Sequence, residues 1–343
     1  MKLRIADQYF LLHSCCKPVK GAVRSIICDL QRQDFLFIPN EFADIFLRQE
    51  ELQWDELKRE FSQYSNFEIE FLQCIDALIH KEYAFYTTEP HLFPELNETL
   101  DTPESISNCI IDIDGPIQFE IERFINDLSQ HLCFSVHLRF FSLQNTAVLY
   151  SIVEKFTDST IRHIEITLPY CTDFEELQAV RNFIADFPKC KRMTIYGTAS
   201  RNEEYSHYYY QIVYTEFQMT AQNCCGYISP HYFRVNNSKF FEAKKFNTCL
   251  HKKVSVDKEG RVCNCPSLQN KFGRYNDLES ISDVLENKAF QLPAQIKKDQ
   301  ITVCKDCEFR YICHDCRAFV TDMNDQFSKP LHCKYNPYEA KWN

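Results

Sequence analysis

The sequence predicts an α/β protein in three consecutive segments: a small winged-helix-like module, a run of βα units, and a cysteine-rich stretch organised by metal. Three observations predict it. Residues 1–92 read as short strands followed by three helices and a closing strand. Residues 109–220 alternate strand and helix, and cysteines crowd residues 221–343 just where regular periodicity weakens.

In the first segment, 9–12, 22–30 and 35–38 are rich in Phe, Ile and Val, as strands are. Asn40 is placed to cap a helix running to Leu47, and Gln53 and Trp54 lead a second helix. Asn66 can cap a third, with Ile69, Leu72, Ile75 and Leu78 along one predicted face. Residues 83–87 read as the closing strand or wing. Strands, three short helices and a wing together predict the winged-helix-like module. A polar linker follows over 93–108, punctuated by Pro94 and Pro103.

In the second segment, strands are expected at 109–113, 134–141, 161–168, 192–196 and 208–215. Helices are expected at 119–128, 147–156 and 174–187. Repeated βα units imply parallel strands joined by crossovers, either as a doubly wound sheet or as a partial barrel. Asp112 and Asp114 end the first strand, and a turn is the expected role of the pair.

Composition bounds the function. A chain of 343 residues is long enough for two or three domains, and 45% hydrophobic with 25% charged residues is a globular balance. The net charge of −10 argues against nucleic-acid binding, which needs clustered Lys and Arg to displace counterions. No apolar run approaches the roughly 18 residues of a membrane-crossing helix, so no membrane partner is expected. The first seven residues lack the apolar core of a secretory signal, and a cytoplasmic location is expected. With 6 glycines in the whole chain and no P-loop, an ATP-dependent ligase is not expected here.

The chain holds 18 cysteines. Cys28, Cys74, Cys109, Cys133, Cys171 and Cys190 sit in apolar patterns and read as core residues. The rest of the signal is spacing. Cys249 is followed by Gly260 and Cys265, then by Cys304-x2-Cys307-x5-Cys313-x2-Cys316, and finally by Cys333. Residues 254–262 read as a hairpin whose Gly260 supplies a positive-φ turn and returns Cys265 toward Cys249. Clustered cysteines in a long, unsignalled chain point to metal, and soft thiolates accept zinc or iron–sulfur clusters alike. His314 and His332 flank cysteines and are expected to support ligands rather than be ligands.

This arrangement resembles the SPASM domain that follows radical SAM barrels in peptide-modifying enzymes. It departs in one place: two residues, not three, separate Cys313 from Cys316. The resemblance implies that Cys304, Cys307, Cys313 and Cys333 hold one [4Fe–4S] cluster. Cys249, Cys265 and Cys316 would hold a second, with Cys263 or Cys225 as its fourth ligand or with a site left open. It also implies that the βα segment is a partial barrel of radical SAM type. The cluster that cleaves S-adenosylmethionine needs C-x3-C-x2-C after the first barrel strand, and no such triplet exists in the chain. Asp112-Ile113-Asp114-Gly115-Pro116-Ile117 stands there instead. The glycine-rich segment expected after the second strand is replaced by Phe141-Ser142-Leu143-Gln144-Asn145. S-adenosylmethionine is therefore not expected as a cofactor.

The layout as a whole is similar to the SPASM-domain peptide maturase of grasp-with-spasm systems. There the first module resembles a PQQ-biosynthesis chaperone. The resemblance implies a maturation protein for a ribosomally synthesised peptide, whose first module binds the precursor's leader and which acts with an ATP-grasp ligase. Two other readings remain open: an atypical radical or redox peptide-modifying enzyme, and a zinc-stabilised interaction protein.

Overall fold

The computed structural model describes every residue except 100, 101, 144, 207, 208, 221 and 222. Gln144, in the segment after the second barrel strand, and Tyr208, at the start of the strand expected over 208–215, lie outside the described residues. The chain forms two compact units. One contains Met1–Asp101, Tyr227–Thr248 and Ile296–Asn343, and the other Thr102–Gly226 and Cys249–Gln295. The cysteine-rich stretch thus contributes residues to both. Among the described residues, no helix is long and apolar enough to cross a membrane.

In the first unit, β1 (Lys2–Ile5), β2 (Gln8–Leu12), β6 (Glu51–Gln53) and β7 (Ala84–Thr87) form a sheet in the order β6-β1-β2-β7. A second sheet is the antiparallel meander β3 (Cys16–Val19), β4 (Ser25–Asp29) and β5 (Asp34–Ile38). β4 is central and buried at every residue, while β5 lies at the sheet's edge. Three helices follow: α1 (Asn40–Leu47), α2 (Trp54–Glu60) and α3 (Phe67–His80).

Three local expectations change, the first being that Asn66 stands at the start of α3 without a side-chain capping bond. Asn40 does not cap α1 with its side chain; its amide donates to the carbonyls of Gly21 and Ala22 and accepts from Ser25 Oγ at 2.6 Å. It fixes the turn into β4, which therefore begins at Ser25 rather than at residue 22. The buried face of α3 is Phe67, Phe71, Ile75 and Leu78, whereas Ile69 is 60% exposed. Aromatic stacking decides this. Phe67 stacks on Phe61 at 4.3 Å and on Phe71 at 5.4 Å, and Trp54 stacks on Phe71 at 5.5 Å. Large flat rings bury more area than Ile69 could offer, so they set the rotation of the helix.

The second unit carries an 8-stranded sheet, mostly parallel. Its strands and helices alternate as β8 (Asn108–Asp114), α4 (Ile121–Gln130), β9 (Ser135–Ser142), α5 (Thr146–Glu154), β10 (His163–Pro169), α6 (Leu177–Asp186) and β11 (Cys190–Tyr196). β12 (Asn202–Ser206) and β13 (Tyr210–Thr215) follow, and β13 pairs parallel with β11. The hairpin β14 (Lys253–Val256) and β15 (Val262–Cys263) joins the other edge, with β14 parallel to β8. The sequence places that hairpin but not its partner strand. Further on come two short helices, Ser282–Leu285 and Lys288–Gln291, the second capped by Asn287 through Ala289 N.

Side-chain alternation separates the two faces of this sheet. Cys109, Ile111 and Ile113 of β8, with Val136, Leu138 and Phe140 of β9, join the core that includes Phe124 and Leu128 of α4. The intervening positions carry Asp112, His137 and Arg139 on the opposite face. One face is thus a hydrocarbon core and the other holds buried polar groups.

Cys28, Cys109, Cys133 and Cys190 are buried, while Cys74 and Cys171 are half-buried. Burial pushes the thiols of Cys74, Cys133 and Cys190 up to about 12, as expected of inert core cysteines.

Candidate metal centres

The first unit gathers Cys304, Cys307, Cys313 and Cys333. A single helical turn, Cys304–Asp306, brings Cys307 N onto Cys304 O at 3.0 Å, so the two side chains of the C-x2-C leave neighbouring points of the backbone. A second turn sets Cys313 N on Phe309 O at 2.9 Å. Val303, just before Cys304, has φ +70, a backbone region a β-branched residue rarely adopts. Phe240, Phe241, Phe309, Ile312 and Tyr335 wall the site.

The charges of these side chains act on one another. Burial is the main cause that lifts the Cys313 thiol to about 12; Lys298 opposes it and Cys333 and Cys304 reinforce it. Cys307 is raised mainly by burial, with Glu308, Cys313 and Cys304 adding to it. Lys298 is 5% exposed, with Nζ 3.8 Å from Cys313 Sγ, 4.0 Å from Cys304 Sγ and 3.7 Å from Asp315 Oδ1. Asp315 also accepts from Arg317 Nη2 at 2.8 Å and from Asn247 Nδ2 at 2.6 Å.

The second unit gathers Cys224, Cys225, Cys249 and Cys265. The β14–β15 hairpin turns at Gly260, whose φ is +75, and leads the chain to Cys265. The Cys225 thiol interacts with those of Cys224 and Cys265. That contact, first, and then the cations Lys253 and Arg139 hold the Cys265 thiol well below its ordinary value despite burial. The Cys225 contact likewise lowers Cys224 to about 6, with Arg139 and Ser267 helping. Lys253 Nζ sits 3.4 Å from Cys249 Sγ, and Cys249, Cys265 and Cys225 together keep it protonated against burial. Cys225 itself is pushed far up, so in this set Cys224 and Cys265 are the thiols held toward the thiolate that a metal takes as ligand.

Arg139 anchors this site. It faces Asp112 across adjacent strands β9 and β8, with Nε–Oδ1 at 2.6 Å and Nη2–Oδ2 at 2.9 Å. Its remaining Nη1 donates to Cys224 Sγ at 3.1 Å. Asp112 is therefore half of a buried ion pair rather than a turn residue. Asp114 does end the strand, accepting from Ser142 Oγ at 2.8 Å and facing Lys258 at 3.3 Å. On the same face, burial holds His137 near 4, so its ring is neutral at pH 7 and bonds Thr167 Oγ1 at 2.9 Å.

Of the residues expected in the second cluster, Cys249 and Cys265 lie in the second unit and Cys316 in the first. Cys263 turns its Sγ to Ser255 O at 3.7 Å inside the hairpin, while Cys225 meets Cys265. His332 stacks on Tyr227 at 4.8 Å, and Cys313 Sγ donates to the His314 carbonyl at 3.1 Å. Sequence reasoning missed Cys224, Arg139, Lys253 and Lys298. The Cys224–Cys225 pair and an arginine between Leu138 and Phe140 in an apolar strand are visible signals. Neither lysine has one.

Among the described residues, the group whose ligand atoms all lie within 4.8 Å of one another is a different one, Cys15, Cys16 and Asp29. Asp29 is already engaged there by Arg32 Nε at 2.5 Å and by the backbone N–H groups of Gln31 and Arg32. That trio reads as a buried ion pair beside two core thiols.

The chain matches no protein-family model and none of the curated proteins. Crystal structures of Streptococcus suis SuiB align with it at 10% identity. SuiB bound to S-adenosylmethionine gives a TM-score of 0.34 over 96% of this chain and 99% of SuiB. A second SuiB structure gives 0.31 over 92% and 95%. Likeness at this level carries no argument about fold or chemistry.

Proposed function

We propose that this chain is a maturation protein for a ribosomally synthesised peptide, which binds the precursor's leader on its first module and carries two thiolate-held iron–sulfur clusters. The observation that carries the reading is the order of the first module: a three-stranded antiparallel meander with β5 at its edge, then three helices. An edge strand offers unpaired N–H and C=O groups to an extended peptide, so main-chain bonds give affinity and neighbouring pockets give selectivity. Phe37, 44% exposed on β5, is an apolar contact for such a peptide. Phe71 and Ile75 of α3 fill the module's own core.

The donor sets fit thiolate centres: four cysteines in each unit, with buried or partly buried cations against the sulfurs. Cys304, Cys307, Cys313 and Cys333 would hold one cluster, and Cys224, Cys225, Cys249 and Cys265 the other. The clusters would supply a rigid, redox-capable core where regular structure is sparse. An ATP-grasp ligase acting on the same precursor is the proposed partner.

The test uses the whole chain, because residues 1–101 share a unit with 227–248 and 296–343. Adding a candidate precursor peptide is expected to slow backbone hydrogen exchange in Asp34–Ile38. Phe37→Asp is expected to weaken binding about tenfold, the loss of one buried aromatic contact. Tight binding without new protection in β5 sinks the proposed recognition mode.

The competing reading, a SAM-cleaving enzyme, is tested directly. With no C-x3-C-x2-C triplet in the sequence, reduced and reconstituted protein is expected to release no 5′-deoxyadenosine above a no-protein control. Release above that control would put the enzyme reading first.

A further inference from the structure

Resting on the iron–sulfur reading above, we infer that Lys298 and Lys253 each set the charge balance of one thiolate centre. Each supplies the one cation that its surroundings leave unmatched, and so each favours the reduced, more negative form of the centre beside it.

The argument is a count of buried charge. Taking an ion out of water costs several kcal/mol unless a counter-ion and hydrogen bonds replace the solvent. In the first unit Lys298 and Arg317 face a single carboxylate, Asp315. The other buried or half-buried carboxylates nearby are taken: Glu308 by Arg24 at 2.8 Å and Asp299 by Arg310 at 3.2 Å. One positive charge is left over, and the atoms facing it are the sulfurs of Cys304 and Cys313.

The second unit repeats the pattern with different residues. Arg139 pairs with one carboxylate, Asp112, and the charge of Lys253 meets Cys249 Sγ. Asp257 is matched by Arg261 at 2.9 Å and Lys271 at 3.5 Å. Two groups of cysteines, in two units, are thus each built around two cations and one carboxylate. Neutral thiols would leave each surplus cation uncompensated. A centre with four thiolates is anionic, and one-electron reduction makes it more so without moving a bond or a proton. The same ammonium that balances the oxidised centre therefore stabilises the reduced one further. Because Lys298 is buried and Lys253 only partly so, screening by water should leave Lys298 with the larger effect.

The experiment is a redox titration of the anaerobic full-length protein, followed by electron paramagnetic resonance with dithionite as reductant. Iron and acid-labile sulfide are measured first. Lys298→Met should keep its iron and sulfide. It should lower the reduced fraction of one centre about tenfold at a fixed potential, a shift of about 59 mV for a one-electron couple. Lys298→Arg should restore it. Lys253→Met should move the other centre, in the same direction and by less. Intact centres with unmoved midpoints in both methionine variants would show the lysines to be structural only. Loss of one centre in Lys298→Met and Lys298→Arg alike would also overturn the charge role. Wild-type protein with zinc and no sulfide would instead remove the iron–sulfur reading itself, before any variant is compared.

Discussion

Cys313→Ala is expected to strip one of two metal centres and to unfold the loops around it. Anaerobically purified wild-type protein should be brown, with about eight iron per chain and matching acid-labile sulfide if both centres are [4Fe–4S]. The variant should retain about half. The effect should be large because Cys313 lies with Cys304, Cys307 and Cys333 in a stretch whose own regular structure is two short helical turns and two two-residue strands. Where side chains cannot supply a core, the metal's binding free energy becomes folding free energy. Hydrogen exchange across 296–343 should rise in the variant, while the parallel sheet of the other unit stays protected. Zinc without sulfide in the wild-type protein would sink the iron–sulfur assignment. An unchanged iron content in Cys313→Ala would remove Cys313 from the ligand set.

The difference between what the sequence predicted and what it missed follows from how each feature is encoded. β8 to β11 and their helices were legible because a parallel strand buried on both faces is a short apolar run, and each crossover helix repeats an amphipathic period. The C-x2-C spacings were legible because ligand pairs are local. Long-range pairing was not: nothing local in Lys253–Val256 says that it will lie parallel to β8. The face of α3 was misjudged because Ile69 and Phe67 are both apolar, and only the stack with Phe61 and Trp54 tells them apart. Lys298 and Lys253 look like surface lysines in sequence. Lys253 meets Cys249 four residues back, and Lys298 meets Cys304 and Cys313 six and fifteen residues on, contacts that no single helix or strand sets. Cys224 and Arg139, by contrast, broke a local pattern, and an arginine in the middle of an apolar central strand is a warning of a buried partner.

Arg139→Met is expected to destabilise the second unit by about 3–5 kcal/mol, the usual cost of breaking a buried pair from one side. Arg139 is 1% exposed and spends both edges of its guanidinium, two bonds on Asp112 and one on Cys224 Sγ. Methionine fills the space but leaves Asp112 charged in a dry setting. Adding Asp112→Leu should recover most of the loss, because an apolar pair of similar volume is often as stable as the ion pair it replaces. The pH dependence gives a second check with a definite sign. Burial already lifts the Asp112 carboxyl above its ordinary value, with Arg139 pulling it back. Removing Arg139 takes away that restraint, so the folded-state value rises further above the unfolded value of about 4. A carboxyl raised on folding contributes stability that is present below its unfolded value and lost as pH climbs through its folded value. The deficit of Arg139→Met should therefore be full at pH 7 and shrink as the solution is acidified toward pH 5, where Asp112 can take a proton. Urea unfolding at both pH values reads this out. A deficit that is independent of pH, or that the second substitution fails to relieve, would mean that the loss comes from packing or from the bond to Cys224 rather than from a stranded carboxylate.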